Sequence, residues 1–103
     1  MSKTETQLES EFQGELVKKL KSIFPGCEIL KNDANYKQGF PDLLVMFRDQ
    51  YAVLEVKASR TAPYRPNQEW YLDKISKMSF SATIYPENEN EILTALQEFF
   101  RTL

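Results

Sequence analysis

The sequence predicts an α/β (α+β) domain of three layers, and three observations carry that reading. Apolar residues recur at helical spacing near both ends of the chain. Two short apolar runs of strand length, 43–47 and 51–57, sit close together in the middle. Proline and glycine fall between these segments rather than inside them. The order is helix, strand, hairpin, helix, strand, helix, which suits a sheet covered by helices.

Each element has its own signal. Over residues 6–24, Leu8, Phe12, Leu16, Leu20 and Ile23 follow helical spacing, and Pro25-Gly26 ends the helix. The polar residues 1–5 before it are expected to fray. Cys27 to Leu30 reads as a short strand, and the polar stretch 31–39 as a loop. Leu43–Phe47 and Tyr51–Lys57 read as paired strands with a turn at Arg48–Gln50. Residues 58–65 form a second loop. A helix then starts near Pro66, since proline suits a first turn, and runs to Met78. Ser81–Tyr85 is a strand closed by Pro86. Asn88, with Glu91 three residues on, suits the cap of a last helix, whose apolar stripe is Ile92, Leu93, Leu96, Phe99 and Phe100.

At 103 residues the chain fits one domain, 1–103, and 42 % hydrophobic residues supply one modest core. The sole cysteine, Cys27, has no internal disulfide partner, which suits a reducing cytoplasm and a core or strand-edge role. There are no histidines. A histidine-based zinc site and a Ser-His-Asp triad are therefore excluded, and chemistry must come from carboxylates, lysine or tyrosine. No apolar run reaches membrane-spanning length, so no membrane partner is expected. The net charge of −2 argues mildly against nucleic acid, yet Lys31, Lys37, Arg48, Lys57, Arg60, Arg65, Lys74 and Lys77 all lie in the middle of the chain. They read either as one basic face or as scattered solvated charge.

The hairpin carries the strongest chemical signal. With Asp49-Gln50 as a two-residue turn, Arg48 pairs with Tyr51, Leu44 faces Glu55 and Asp42 faces Lys57. Cross-strand partners and residues two apart share a face, so Asp42, Glu55 and Lys57 point the same way. Two readings fit: an exposed ion pair of little energetic weight, or a site for a hard cation. In the second, Asp42, Glu55 and the Val56 carbonyl offer oxygens to Mg²⁺, and Lys57 positions a water or steadies charge at phosphorus. The first helix bears on the choice. At about 100° per residue, Glu9 and Gln13 fall in the sector of Phe12, Leu16 and Leu20, whereas Glu11, Glu15 and Lys18 fall opposite. A carboxylate on an inward face needs a partner, unless Glu9 lies in a frayed first turn.

These residues carry a resemblance. Pro41-Asp42 followed by Glu55-Val56-Lys57 resembles the PD-(D/E)XK nuclease superfamily. Glu9-Ser10-Glu11-Phe12-Gln13 is similar to the Glu-x-x-Ile-Gln opening of its VRR-NUC group. Gly39-Phe40-Pro41-Asp42-Leu43 is similar to that group's Gly-x-Pro-Asp-Leu, and Asn67-Gln68 with Trp70 to its downstream glutamine. Ser81-Ala82-Thr83-Ile84-Tyr85 has no counterpart of the group's basic element near the last strand.

The resemblance, spanning about residues 8–75, implies a restriction-endonuclease-like core, a mixed β-sheet flanked by helices. It implies that Asp42 and Glu55 bind Mg²⁺ or Mn²⁺, that Glu9 contributes to metal binding directly or through water, that Lys57 assists the water, and that Gln13 and Gln68 orient neighbouring groups or the phosphate. Small members of this kind are similar to phage-encoded nucleases and to Holliday junction resolvases, so a homodimer acting on branched, flap or junction DNA in a host cytoplasm is the expectation.

Three loop residues after the lysine, Arg60, Tyr64 and Arg65, suit backbone contacts and base stacking, and Tyr36, Lys37 and Gln38 suit the opposite rim. Gly39 marks tight backbone geometry entering the strand. Trp70 reads as core or dimer interface. A catalytically inactive DNA-binding or assembly module of the same fold is the alternative function, and an acidic protein-binding module a third.

Overall fold

The computed structural model describes residues 2–33 and 35–101. The chain forms α1 (Glu5–Ile23), β1 (Glu28–Lys31), β2 (Leu43–Phe47), β3 (Gln50–Val56), α2 (Gln68–Ser76), β4 (Phe80–Ile84), a 3-10 turn (Pro86–Asn88) and α3 (Glu89–Arg101). The strands make one mixed sheet in the order β1-β2-β3-β4. β1, β2 and β3 are antiparallel neighbours, and β4 joins β3 in parallel. The α+β class expected from the sequence is what the chain adopts.

Strand alternation explains the layers. One face of the sheet presents Leu43, Val45, Ala52, Leu54, Val56 and Ile84, which pack with Leu16 and Leu20 of α1 and Leu93, Leu96 and Phe100 of α3. Phe24 closes one end of this core against Phe47 and Phe100, with ring centroids 5.3 and 5.1 Å away. The other face presents Leu44, Val53, Glu55, Ser81 and Thr83. It is covered in part by α2, where Ser81 Oγ donates to the Leu72 carbonyl at 2.9 Å. β2 and β3 are the two inner strands, and all of Ala52–Val56 is buried.

α1 begins inside the stretch expected to fray. Thr4 accepts from the Gln7 N–H (3.1 Å) while Gln7 Oε1 accepts from the Thr4 N–H (2.8 Å), a capping box that satisfies two donors at the helix start. Met1 lies outside the described residues. α2 begins at Gln68, two residues later than Pro66 suggests, because Asn67 takes a left-handed conformation (φ 71°) that breaks the helical path. Asn88 does not turn its side chain onto the last helix. Its Oδ1 accepts from the Tyr85 N–H (2.8 Å) and its Nδ2 donates to the Thr83 carbonyl (3.0 Å), closing the 3-10 turn instead.

The hairpin register corrects the sequence reading. Phe47 pairs with Gln50, so Arg48-Asp49 is the turn and not Asp49-Gln50. Arg48 adopts φ 59°, the left-handed geometry that lets a two-residue turn follow the strand twist. Gln50 thereby stays in the strand, where its Nε2 donates to the Phe99 carbonyl at 3.3 Å. Leu44 consequently faces Val53 rather than Glu55, a shift of two residues in pairing. Two residues is the strand period, so the displacement leaves every side chain on its expected face. Asp42, Glu55 and Lys57 still share one side, but the register continued past Leu43↔Leu54 sets Asp42 opposite Glu55 rather than Lys57.

Candidate active site

Three elements and two loops converge on the end of β3. Asp42 precedes β2, and its Oδ2 accepts from the Val56 N–H at 2.8 Å, which ties the carboxylate to the next strand. Glu55 is only 1 % exposed and Lys57 4 %. Gln68, the first residue of α2 and also buried, joins the two. Its Nε2 donates to Glu55 Oε2 at 2.7 Å, and its Oε1 accepts from Lys57 Nζ at 2.7 Å and from the Arg65 N–H at 2.6 Å. Lys57 Nζ also lies 3.6 Å from Glu55 Oε2 and donates to the Pro63 carbonyl at 3.1 Å. The lysine is therefore fixed by three oxygens and cannot swing freely.

The remaining oxygen of Glu55, Oε1, is buried and meets no donor among the described residues, and the Asp42 side chain lies within hydrogen-bonding range of the Glu55 carboxyl. A buried carboxylate oxygen without a donor is costly, which makes this atom the most informative one in the cluster. Burial pushes the Glu55 carboxyl up to about 8, and the neighbouring Asp42 charge adds to the rise, while Lys57 opposes it in part. Two carboxylates this close cannot readily ionise together without an added cation.

α1 brings Glu9 to the same place. Glu9 is half-buried, and Glu11, Glu15 and Lys18 are exposed, as the helical pattern requires. Glu9 lines a small cavity of about 160 Å³ with Lys57, Pro63 and Arg65. Burial raises its carboxyl above the ordinary range, Asp42 raises it further, and Arg65 and Lys57 lower it. Gln13, one turn along, is half-buried as well.

Other expected residues are placed as follows. Tyr64 sets its ring 5.2 Å from Lys57 Nζ, and its hydroxyl meets Thr83 Oγ1 at 2.6 Å. Arg65 is exposed at the cavity mouth. Lys37 lies over the Tyr71 ring at 5.5 Å, on α2. Arg60 is exposed, and its N–H reaches Glu87 Oε2 at 3.4 Å, so its backbone leans toward the 3-10 turn and not toward Glu55. Trp70 is 57 % exposed and is not a core residue, because it lies on the side of α2 opposite Ile75's burial. The Pro63 carbonyl, the Arg65 N–H and Thr83 act as braces that no residue pattern signals. Only the position of the loop, directly after Lys57, pointed there.

Among the described residues, no three Asp, Glu, Cys or His side chains converge closely enough to hold a metal by themselves. Magnesium does not need three: it keeps several waters and commonly binds through one or two carboxylates plus substrate phosphate oxygens. The Asp42–Glu55 pair and the orphaned Glu55 Oε1 fit that requirement, with Glu9 standing beside them. No family model and no curated protein matches the chain.

Proposed function

We propose that the protein is a Mg²⁺-dependent endodeoxyribonuclease of the PD-(D/E)XK kind, with Mn²⁺ able to substitute. The observation that carries this reading is half-buried Asp42 set against buried Glu55, whose Oε1 meets no donor among the described residues, beside a lysine held by Gln68 and Pro63. Glu89, paired with Lys19, also leaves one oxygen without a partner among those residues, so the orphaned oxygen does not decide alone; at Glu55 it belongs to a carboxyl set beside the Asp42 carboxylate, where a cation would relieve the repulsion.

In this reading Asp42 and Glu55 hold the metal, with the Val56 carbonyl and Glu9, directly or through water, completing its surroundings. The bound cation supplies charge neutralisation at the phosphodiester and a more acidic water. Lys57 keeps its ammonium against the reacting phosphate and orients the water, and Gln68 keeps Lys57 and Glu55 at fixed separation. Arg65 and Lys37 neutralise flanking phosphates, Gln13 orients neighbouring groups, and Arg60 is a more distant backbone contact. Branched, flap or junction DNA is the proposed substrate class. A homodimer is part of the proposal, with the apolar strip of half-buried Leu44 and exposed Met46 and Tyr51 as the surface a partner would cover.

The test is cleavage of end-labelled linear, flapped and four-way DNA with Mg²⁺ or Mn²⁺, beside EDTA and Glu55→Ala controls. Cleavage lost in both controls supports the reading. Binding of the same DNA with no product under any divalent metal supports the second reading, an inactive binding or assembly module.

A further inference from the structure

The chain's single tryptophan is left exposed beside the site, and its surroundings are specific. Trp70 and Tyr64 line one cleft of about 720 Å³ together with Arg65, Asn67, Glu69 and Tyr71. That volume lies within the range of about 300–1,000 Å³ typical of pockets for small organic groups. Trp70 and Tyr71 meet edge to face at 4.9 Å, so the indole is braced.

Three cations border these rings on a chain of net charge −2. Lys74 Nζ is 4.9 Å from the Trp70 ring, Lys37 Nζ is 5.5 Å from the Tyr71 ring, and Arg65 belongs to both this cleft and the cavity of Glu9 and Lys57. Aromatic faces interleaved with cations suit a single nucleic-acid strand, whose bases stack while its phosphates pair. An aliphatic ligand would need neither the cations nor the polar edges of Asn67 and Glu69. The distance to the site is short, because the Tyr64 ring is 5.2 Å from Lys57 Nζ.

We propose that this cleft receives one unpaired nucleobase adjoining the phosphate that Lys57 faces. The substrate is then a strand with at least one unpaired nucleotide beside the cut, as at a flap or a single-strand/double-strand boundary, and continuous duplex is disfavoured. The position of the cleft next to a cut rests on the nuclease reading; the occupancy of the cleft by a base does not.

Trp70 is its own probe. The full-length protein is titrated in EDTA with a single-stranded oligodeoxynucleotide and with a blunt duplex of the same sequence, following indole emission. Binding is followed in parallel by the anisotropy of a label on the DNA. The expected result is quenching by the single strand and little change with the duplex. Trp70→Ala should weaken single-strand binding by about 5- to 150-fold, the range for one stacked base, and leave duplex binding unchanged. Circular dichroism of Trp70→Ala should match the parent, since the side chain is exposed.

Equal loss on both DNAs, or emission that shifts with protein concentration and not with oligonucleotide, overturns the inference. The latter result would place Trp70 between two copies of the chain. Quenching without any metal-dependent cleavage would keep the cleft and reject the nuclease. Cleavage without quenching would do the reverse.

Discussion

Gly39 stands against Asn67 so closely that a β-carbon on Gly39 would lie 2.6 Å from Asn67 Cβ and 2.7 Å from the Pro66 carbonyl oxygen. Both residues have positive φ, 85° and 71°. The loop leading to Asp42 is therefore seated on the turn leading to Gln68. This contact, and not only tight geometry at the strand start, is what the glycine provides.

Gly39→Ala is expected to destabilise the fold by about 1–3 kcal/mol, since it combines a disfavoured backbone conformation with contacts that backbone atoms cannot relieve. For a domain of this size that is a fall of at least about 4 °C in melting temperature. Calorimetry or urea denaturation checks it. Activity should fall further than stability explains, because Asp42 and Gln68 are displaced relative to one another.

Gln68→Ala removes the group that bonds Glu55 and Lys57 at once. Metal-dependent cleavage is expected to fall by about 10- to 100-fold, the usual scale for residues that orient others at a metal site. Gln68→Glu should be worse, placing a third carboxylate beside Glu55. Measuring kcat separately from DNA binding distinguishes this from lost affinity.

Stability in EDTA should decline as pH rises. Glu55 is held at about 8 in the folded chain against 4.5 for an ordinary glutamate. The folded state thus keeps a proton that the unfolded state releases between those values. Its contribution is complete below pH 4.5 and is lost as pH climbs through about 8, with a slope of at most about 1.4 kcal/mol per pH unit. Urea denaturation across this window checks the sign, and Glu55→Gln should flatten it. Added Mg²⁺ should stabilise more at pH 8 than at pH 5, because binding requires the ionised carboxylate.

Arg48→Gly tests the hairpin. With Arg48 at φ 59°, glycine relieves a left-handed strain and should raise stability by about 0.5–1 kcal/mol. Had the turn been Asp49-Gln50, position 48 would be an extended strand residue and glycine would lower stability. The sign of the change in denaturation midpoint decides.

Much of this was legible from the residue pattern, and the failures have physical causes. Helical spacing placed Leu16 and Leu20 inward, and both are fully buried. Strand parity put Asp42, Glu55 and Lys57 on one side even though the turn was misplaced, because a two-residue shift leaves parity intact. The turn itself was not legible, since neither Arg-Asp nor Asp-Gln favours positive φ. It was settled by long-range contacts such as Gln50 with Phe99. Gln68 could be singled out only through the resemblance, because its value lies in partners 13 and 11 residues away. Of the two readings of Trp70, core and dimer interface, its 57 % exposure removes the first, because aromatic character alone says nothing about which side of a helix is left open.

β3 and the residue after it divide between the core and the Glu55–Lys57 cluster on alternate positions. Ala52, Leu54 and Val56 face the core, while Glu55 and Lys57 face the cluster. A saturation scan along this strand should therefore give two interleaved phenotypes: substitutions at 52, 54 and 56 deplete the protein from the cell, whereas conservative ones at 55 and 57 leave its abundance and silence it. Every position from Ala52 to Lys57 is buried, so a substitution in this segment meets the core on one side or the cluster on the other and has no neutral place to fall.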